Sequence, residues 1–85
     1  MVSFIVRFEE DDDKWYLISD SGIISRIPNK ENFDILIVRN LSEEKVKIAM
    51  REGYRLFECK ERNGEECLIK LLNVLFPYCK TCKFS

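Results

Sequence analysis

The sequence predicts an α+β fold: a single small domain in which a mixed sheet carries two helices mainly on one face, followed by a cysteine-containing C-terminal tail. Two observations favour this class. The stretch 33–60 reads as strand, helix and strand, and its apolar run Ile35–Val38 is typical of a strand covered on both faces. The stretch 1–28 holds three short runs of strand-forming residues separated by turns. The expected element order is β-β-β-β-α-β-α.

The N-terminal stretch is expected to form an antiparallel meander. Alternate residues of its first strand, Val2–Phe8, are apolar, which suits a strand with one buried side. An acidic turn then leads into a second strand, Trp15–Ser19, whose aromatic and β-branched residues fit a pleated surface. The third strand, Ile23–Ile27, stops at Pro28, because proline lacks the N–H that a ladder needs.

A helix is predicted between the fourth and fifth strands. Ser42 can cap its first turn, and Gly53 suits the left-handed position that follows its last turn. The residues expected to form its buried stripe are Val46, Ala49 and Met50. The crossover is long enough for a parallel return. The fifth strand, Tyr54–Lys60, is therefore expected to lie parallel to the fourth.

The segment 64–76 allows two structures. As a helix, it would begin at a cap formed by Asn63. As the second strand of a hairpin, it would follow a short loop that places Cys59 directly opposite Cys67. The length of the segment and its many leucines favour the helix, because such a run is too long for an ordinary strand.

The four cysteines, Cys59, Cys67, Cys79 and Cys82, are the main chemical feature of the chain, and the last two lie in the tail 77–85. With a helix at 64–76, a Cys59–Cys67 disulfide is the simpler outcome, and it would contribute about 2.5 kcal/mol. The alternatives are inert buried thiols, redox activity of the C-x-x-C pair, and one structural zinc ion. Because the chain has no histidine, a zinc site would need all four thiolates. No other cofactor is expected.

A run of five carboxylates follows the first strand: Glu9, Glu10, Asp11, Asp12 and Asp13. Carboxylate oxygens are ligands for hard cations such as Ca²⁺, but the spacing matches no EF-hand loop. The alternative is a solvated hairpin tip whose charges discourage pairing with other chains.

The second helix has an unusually wide apolar arc, roughly 220° against the 100° or so that one core face requires. Either the sheet and the tail enclose this helix, or it exposes apolar surface to another chain. The residues of the predicted partner surface are Leu68, Ile69, Leu72, Leu75 and Phe76.

Composition narrows the functional classes. Without histidine or a glycine-rich phosphate loop, an enzyme is not expected. A net charge of −1 makes nucleic acid an unfavourable partner. No apolar run has membrane length and the start lacks the basic segment of a signal peptide, so a cytoplasmic protein is expected. Charged residues make up 34% of the chain and glutamine is absent, which resembles thermophile usage, a setting in which intracellular disulfides persist.

These features predict a small non-catalytic binding or regulatory module that acts through protein contacts, with homodimerisation through the second helix as one form. Two alternatives stay open. One is a nucleic-acid-binding domain stabilised by zinc on the four cysteines. The other is a cation-binding protein that uses the acidic turn.

Overall fold

The computed structural model describes residues 2–77, which form a five-stranded mixed sheet and two helices. The elements, in chain order, are β1 (Ser3–Phe8), β2 (Asp11–Ser19), β3 (Ile24–Ile27), β4 (Ile35–Val38), α1 (Glu43–Glu52), β5 (Arg55–Glu58) and α2 (Gly64–Leu75). Across the sheet the strand order is β3-β2-β1-β4-β5. The predicted α+β class and element order are confirmed.

The hairpin between β1 and β2 is more tightly closed than expected, because β2 begins at Asp11 and not at Trp15. Arg7 pairs with Trp15 whereas Phe8 pairs with Asp11, so β2 carries extra residues opposite this point of β1. The indole N–H of Trp15 donates to the backbone carbonyl of Asp12 at 2.6 Å and holds the bulge. Part of the acidic run therefore belongs to a bulged strand and not to a turn.

The predicted parallel pairing of β4 and β5 is confirmed, and β4 also lies parallel to β1. The carboxyl ends of these three strands therefore meet at one edge of the sheet. Arg39, the residue after β4, links the loops there. Its guanidinium donates to the carboxylate of Glu10, after β1, and to the backbone carbonyl of Glu61, after β5.

The main core lies between α2 and one face of the sheet. Its buried residues come from three strands, β1, β2 and β4, and from α2, and the two bonded cysteines belong to the same layer: Val6, Phe8, Ile18, Ile35, Ile37, Leu68, Leu71 and Leu72, together with Cys59 and Cys67. Burying a side chain of the size of leucine or isoleucine contributes about 1.5–3 kcal/mol. This layer contains most of the buried apolar side chains of residues 2–77.

The helix α1 lies over the opposite face, so the two helices do not share one face of the sheet as expected. Successive residues of a strand point to opposite faces of the sheet, and Ile35 and Ile37 face α2. Leu36 and Val38 therefore point to the other face, and they are also buried. The crossover from β4 to β5 covers them with α1, whose buried residue is Ala49. After β5 the chain crosses to the face of the sheet opposite α1, and α2 packs there.

An aromatic cluster lies on the same side of the sheet as α1. The ring of Phe33 contacts the rings of Trp15 and Tyr54, with centroid separations of 5.7 and 4.7 Å. The guanidinium carbon of Arg7 stands 5.1 Å from the Phe33 centroid, in cation–π geometry.

The start of both helices and the end of α1 lie at the capping residues that the sequence predicted. The side chain of Ser42 accepts a hydrogen bond from a first-turn N–H of α1, and Gly53 is left-handed with φ of 86°. Asn63 caps α2 in the same way, accepting from the N–H of Glu65 at 2.9 Å. The helical interpretation of 64–76 is thus confirmed, and the hairpin alternative is wrong.

The buried stripe of α1 differs from the prediction. Ala49 is buried as expected, but Val46 is 41% exposed and Met50 is 79% exposed. Ile48 is half-buried instead. The crossover determines how the short helix is rotated about its axis, so the apolar residues on its outer flank stay in contact with solvent.

Candidate functional site

The structure joins Cys59 and Cys67 in a disulfide with a Cα–Cα distance of 5.8 Å, which confirms the simpler of the cysteine predictions. The bond connects the residue after β5 to the first turn of α2, and both residues are buried. A disulfide sulfur is not the thiolate that zinc requires, so a four-cysteine site would need this bond reduced. Cys79 and Cys82 lie outside the described residues, and the zinc and redox interpretations stay predictions.

The loop closed by the disulfide is also held by charge. The carboxylate of Glu61 pairs with the ammonium of Lys70 on α2. The hydrogen bond from Lys70, its positive charge and a hydrogen bond with Glu66 lower the pKa of the Glu61 carboxyl. The loop between β5 and α2 is therefore attached to the helix by both a covalent and an ionic link.

The acidic run is divided by the fold. Glu9 and Glu10 form ion pairs of 2.9 Å with basic residues of α1 and of the β4 end, respectively. The other three, Asp11, Asp12 and Asp13, bring carboxylate oxygens within 4.8 Å of one another. The Asp11 carboxylate accepts the backbone N–H of Asp13 at 3.0 Å. The cation-binding interpretation stays a prediction, while the ion pairs show that Glu9 and Glu10 connect the end of β1 to α1 and to the end of β4.

A cleft of about 320 Å³ opens at the carboxyl edge of the parallel strands, between the β1–β2 hairpin and the start of α2. Its charged lining residues are Lys14, Arg39 and Arg62 on the basic side and Glu10, Asp11 and Glu65 on the acidic side. The carboxylates of Glu10 and Asp11 are paired with Arg39 and Lys14. Since the charges balance, the cleft lacks the concentrated positive field that binds a polyanion.

The partner surface expected on α2 needs correction. Leu68 and Leu72 are buried in the core of the chain itself and are not available to a partner. The remaining residues of that surface are half-buried: Ile69, Leu75 and Phe76. The centre of the wide apolar arc is used within the chain, because Leu68, Leu71 and Leu72 are buried in the core against the sheet.

A different apolar surface lies on the outer flank of α1. Its residues, Leu41, Val46 and Met50, are 48%, 41% and 79% exposed. Leu41 and Val46 line one shallow depression of about 430 Å³. Met50 follows Val46 by one helical turn and therefore continues the same flank.

This exposed flank lies on the side of α1 that is directed toward β5 and away from β1. The backbone N–H of Leu41 donates to the carboxylate of Glu58, the last residue of β5, at 2.9 Å. Lys45, on the sheet-facing side of α1, reaches instead toward β1, where its ammonium pairs with Glu9. A right-handed crossover from β4 to β5 gives the same arrangement, with the Val46 side of α1 turned away from β1.

On the face of the sheet that α2 covers, Val74 is an exposed apolar residue on the β5 side of the helix. Cys67 points toward the end of β5, because it is bonded to Cys59 there. Val74 follows Cys67 by two helical turns, lies on the same side of α2, and is 62% exposed. Phe57 of β5 is only half-buried on this face.

Together these residues surround an edge of the sheet. We define the β5-edge surface as the open side of β5 together with Leu41, Val46, Met50 and Val74. Six large apolar residues are exposed in the described part of the chain, and these four border β5. The sequence contained no signal for this cluster, because it did not show which flank of each helix would turn toward β5.

No protein-family model matches the sequence, and comparison with curated proteins and solved structures found no match. Within residues 2–77, no helix is both long and apolar enough to cross a membrane. Function is therefore inferred from the fold and from the β5-edge surface.

Proposed function

We propose that this protein is a small non-catalytic module that binds a protein partner through the β5-edge surface. The observation that supports this most is the clustering of four exposed apolar side chains around one strand edge. Contiguous exposed apolar surface with a polar border is typical of protein-binding sites. Glu43 and Lys47 provide such a border on α1.

The backbone of β5 strengthens the proposal. β5 is the last strand of the sheet, so one of its sides has no neighbouring strand among residues 2–77. An open edge presents backbone donors and acceptors that an extended segment of a partner can bind. Such an edge supplies hydrogen bonds, while the neighbouring apolar side chains supply buried area.

Charge favours protein over nucleic acid as the partner. The net charge is −1, and the charged cleft between the β1–β2 hairpin and the start of α2 has balanced basic and acidic groups. A nucleic-acid site needs a concentrated positive surface, since phosphate contacts supply most of the binding energy.

Site-specific photo-crosslinking in the native host tests the proposal. A photoreactive residue at Met50, which is 79% exposed, is expected to capture a discrete polypeptide that mass spectrometry can identify. The matched control is the same residue at Ile23, which is 59% exposed and distant from β5. Capture of the same products from both positions, or no capture from Met50, would show that this surface is not a protein-binding site.

A further inference from the structure

Resting on the proposed function, we infer that the partner of the β5-edge surface is a second copy of this chain. In this dimer, β5 pairs antiparallel with β5 of the second copy across a twofold axis. The two sheets then join into one continuous sheet. Three features carry the inference: the direction of the backbone groups of β5, the register they allow, and the distance between the two copies of α1.

The backbone of β5 directs alternate residues toward the open side. The N–H of Arg55 donates to Asp34 and the N–H of Cys59 donates to Val38, each at 2.9 Å. Those residues therefore face β4. Because neighbouring residues of a strand point their backbone groups in opposite directions, Leu56 and Glu58 direct theirs outward. In the described part of the chain no strand pairs with them.

One antiparallel register satisfies all of these outward groups. With the twofold axis at Phe57, Leu56 lies opposite Glu58 of the second copy, and each such pair exchanges two backbone hydrogen bonds. A register centred on Leu56 would instead require Tyr54, whose N–H is already donated to Ala49 at 3.1 Å. The register centred on Phe57 also uses the full length of β5 and nothing beyond it.

The position of α1 fits this pairing. A crossover helix packs over the two parallel strands that it connects, so α1 is expected about half a strand spacing inside β5. Adding one spacing across the new pair separates the two copies of α1 by about two spacings, roughly 10 Å. Packed helices lie about 8–10 Å apart. The exposed flanks that carry Val46 and Met50 would therefore face each other and become buried.

The other face of the sheet gains a matching contact. Phe57 meets Phe57 of the second copy at a non-hydrogen-bonded position, where opposing side chains are closest. Val74, which is 62% exposed, lies on the same face of the sheet as this pair, on the flank of α2 that carries Cys67. Val46 and Met50 on one face and Phe57 on the other are then covered by one symmetric contact, which is how a closed twofold interface is built.

Sedimentation equilibrium and amide hydrogen exchange on the full chain test the dimer. We expect a monomer–dimer equilibrium in which protection of the Leu56 and Glu58 amides rises with protein concentration. The amides of Ile24 and Arg26, which point away from β2 at the opposite edge, should stay equally accessible at every concentration. A strict monomer, or concentration-independent exchange at Leu56 and Glu58, would overturn the inference.

Two variants locate the interface. Met50→Glu should weaken dimerisation at least about tenfold, because it places a charge between the two copies of α1. Ile23→Glu, at a similarly exposed residue remote from β5, should leave the dissociation constant unchanged. A dimer insensitive to Met50→Glu would overturn the inference. If the chain is a monomer while Met50 crosslinks to a different polypeptide, the protein-binding function stands and only the second copy is wrong.

Discussion

Breaking the Cys59–Cys67 disulfide should lower the free energy of unfolding by about 2.5 kcal/mol. The bond joins residues with a sequence separation of 8. Closing a loop of that length removes about 2.5 kcal/mol of chain entropy from the unfolded state. For a domain of this size, 1 kcal/mol shifts the melting temperature by about 4–8 °C, so the midpoint should fall by about 10–20 °C.

The reduced protein is expected to keep its fold. The contacts that hold the start of α2 remain when the bond is broken: the Asn63 cap and the pair between Glu61 and Lys70. Both sulfurs also stay in the core, where Cys59 is 5% exposed and Cys67 is 0% exposed. The decrease in the free energy of unfolding should therefore come mainly from the greater conformational freedom of the reduced unfolded chain.

The assay compares oxidised and reduced forms of one sequence by urea denaturation. Replacing Cys79 and Cys82 by serine prevents exchange with the tail cysteines. The mass of the denatured oxidised protein should then be lower than that of the reduced protein by two hydrogen atoms. The double variant Cys59→Ala/Cys67→Ala should be less stable than the reduced form, because it also removes two sulfur atoms from the core.

Three results would contradict this reasoning. Oxidised and reduced forms that unfold within about 0.5 kcal/mol of each other would show that the bond does not stabilise the fold. An equally large loss from replacing only Cys79 and Cys82 would show that the tail cysteines matter as much. A wild-type chain that is fully reduced when denatured, and heavier by one zinc ion when native, would favour the four-cysteine zinc site.

Substitutions at two further positions, Gly53 and Lys70, test the end of α1 and the loop before α2. Gly53→Ala should cost about 1 kcal/mol, because φ is 86° there while no atom lies within 4 Å of an added Cβ. Gly53→Asn should cost less, since asparagine tolerates this conformation, and equal losses in urea denaturation would contradict the reason given. Lys70→Gln should raise the pKa of Glu61 in an NMR titration, because it removes the hydrogen-bonding cation. The lowered pKa stabilises the native state above the pKa of unfolded Glu61, and this contribution is lost as pH falls through the native pKa. An unchanged Glu61 pKa in Lys70→Gln would show that Lys70 is not the cause.

The sequence alone predicted the features that depend on nearby residues. The apolar run of β4 indicated a strand covered on both faces, and all four of its residues are buried. Ser42 and Gly53 marked the ends of α1 because capping involves backbone groups within one turn. The leucine-rich length of 64–76 distinguished a helix from a hairpin. The disulfide followed from that helix, since it brings Cys67 close to the end of β5.

Only the tertiary structure decided how these elements are oriented. The sequence pattern of α1 predicted that Val46 and Met50 are buried, but the crossover turns them outward and places Ile48 and Ala49 inward. The wide apolar arc of α2 suggested a partner, yet Leu68 and Leu72 are buried against the sheet. Strand order also left β5 at an edge, where exposed residues from both helices meet. Helix rotation and strand order depend on contacts between residues distant in the chain. Local propensity therefore determined the elements, while packing determined the surface proposed to bind a partner.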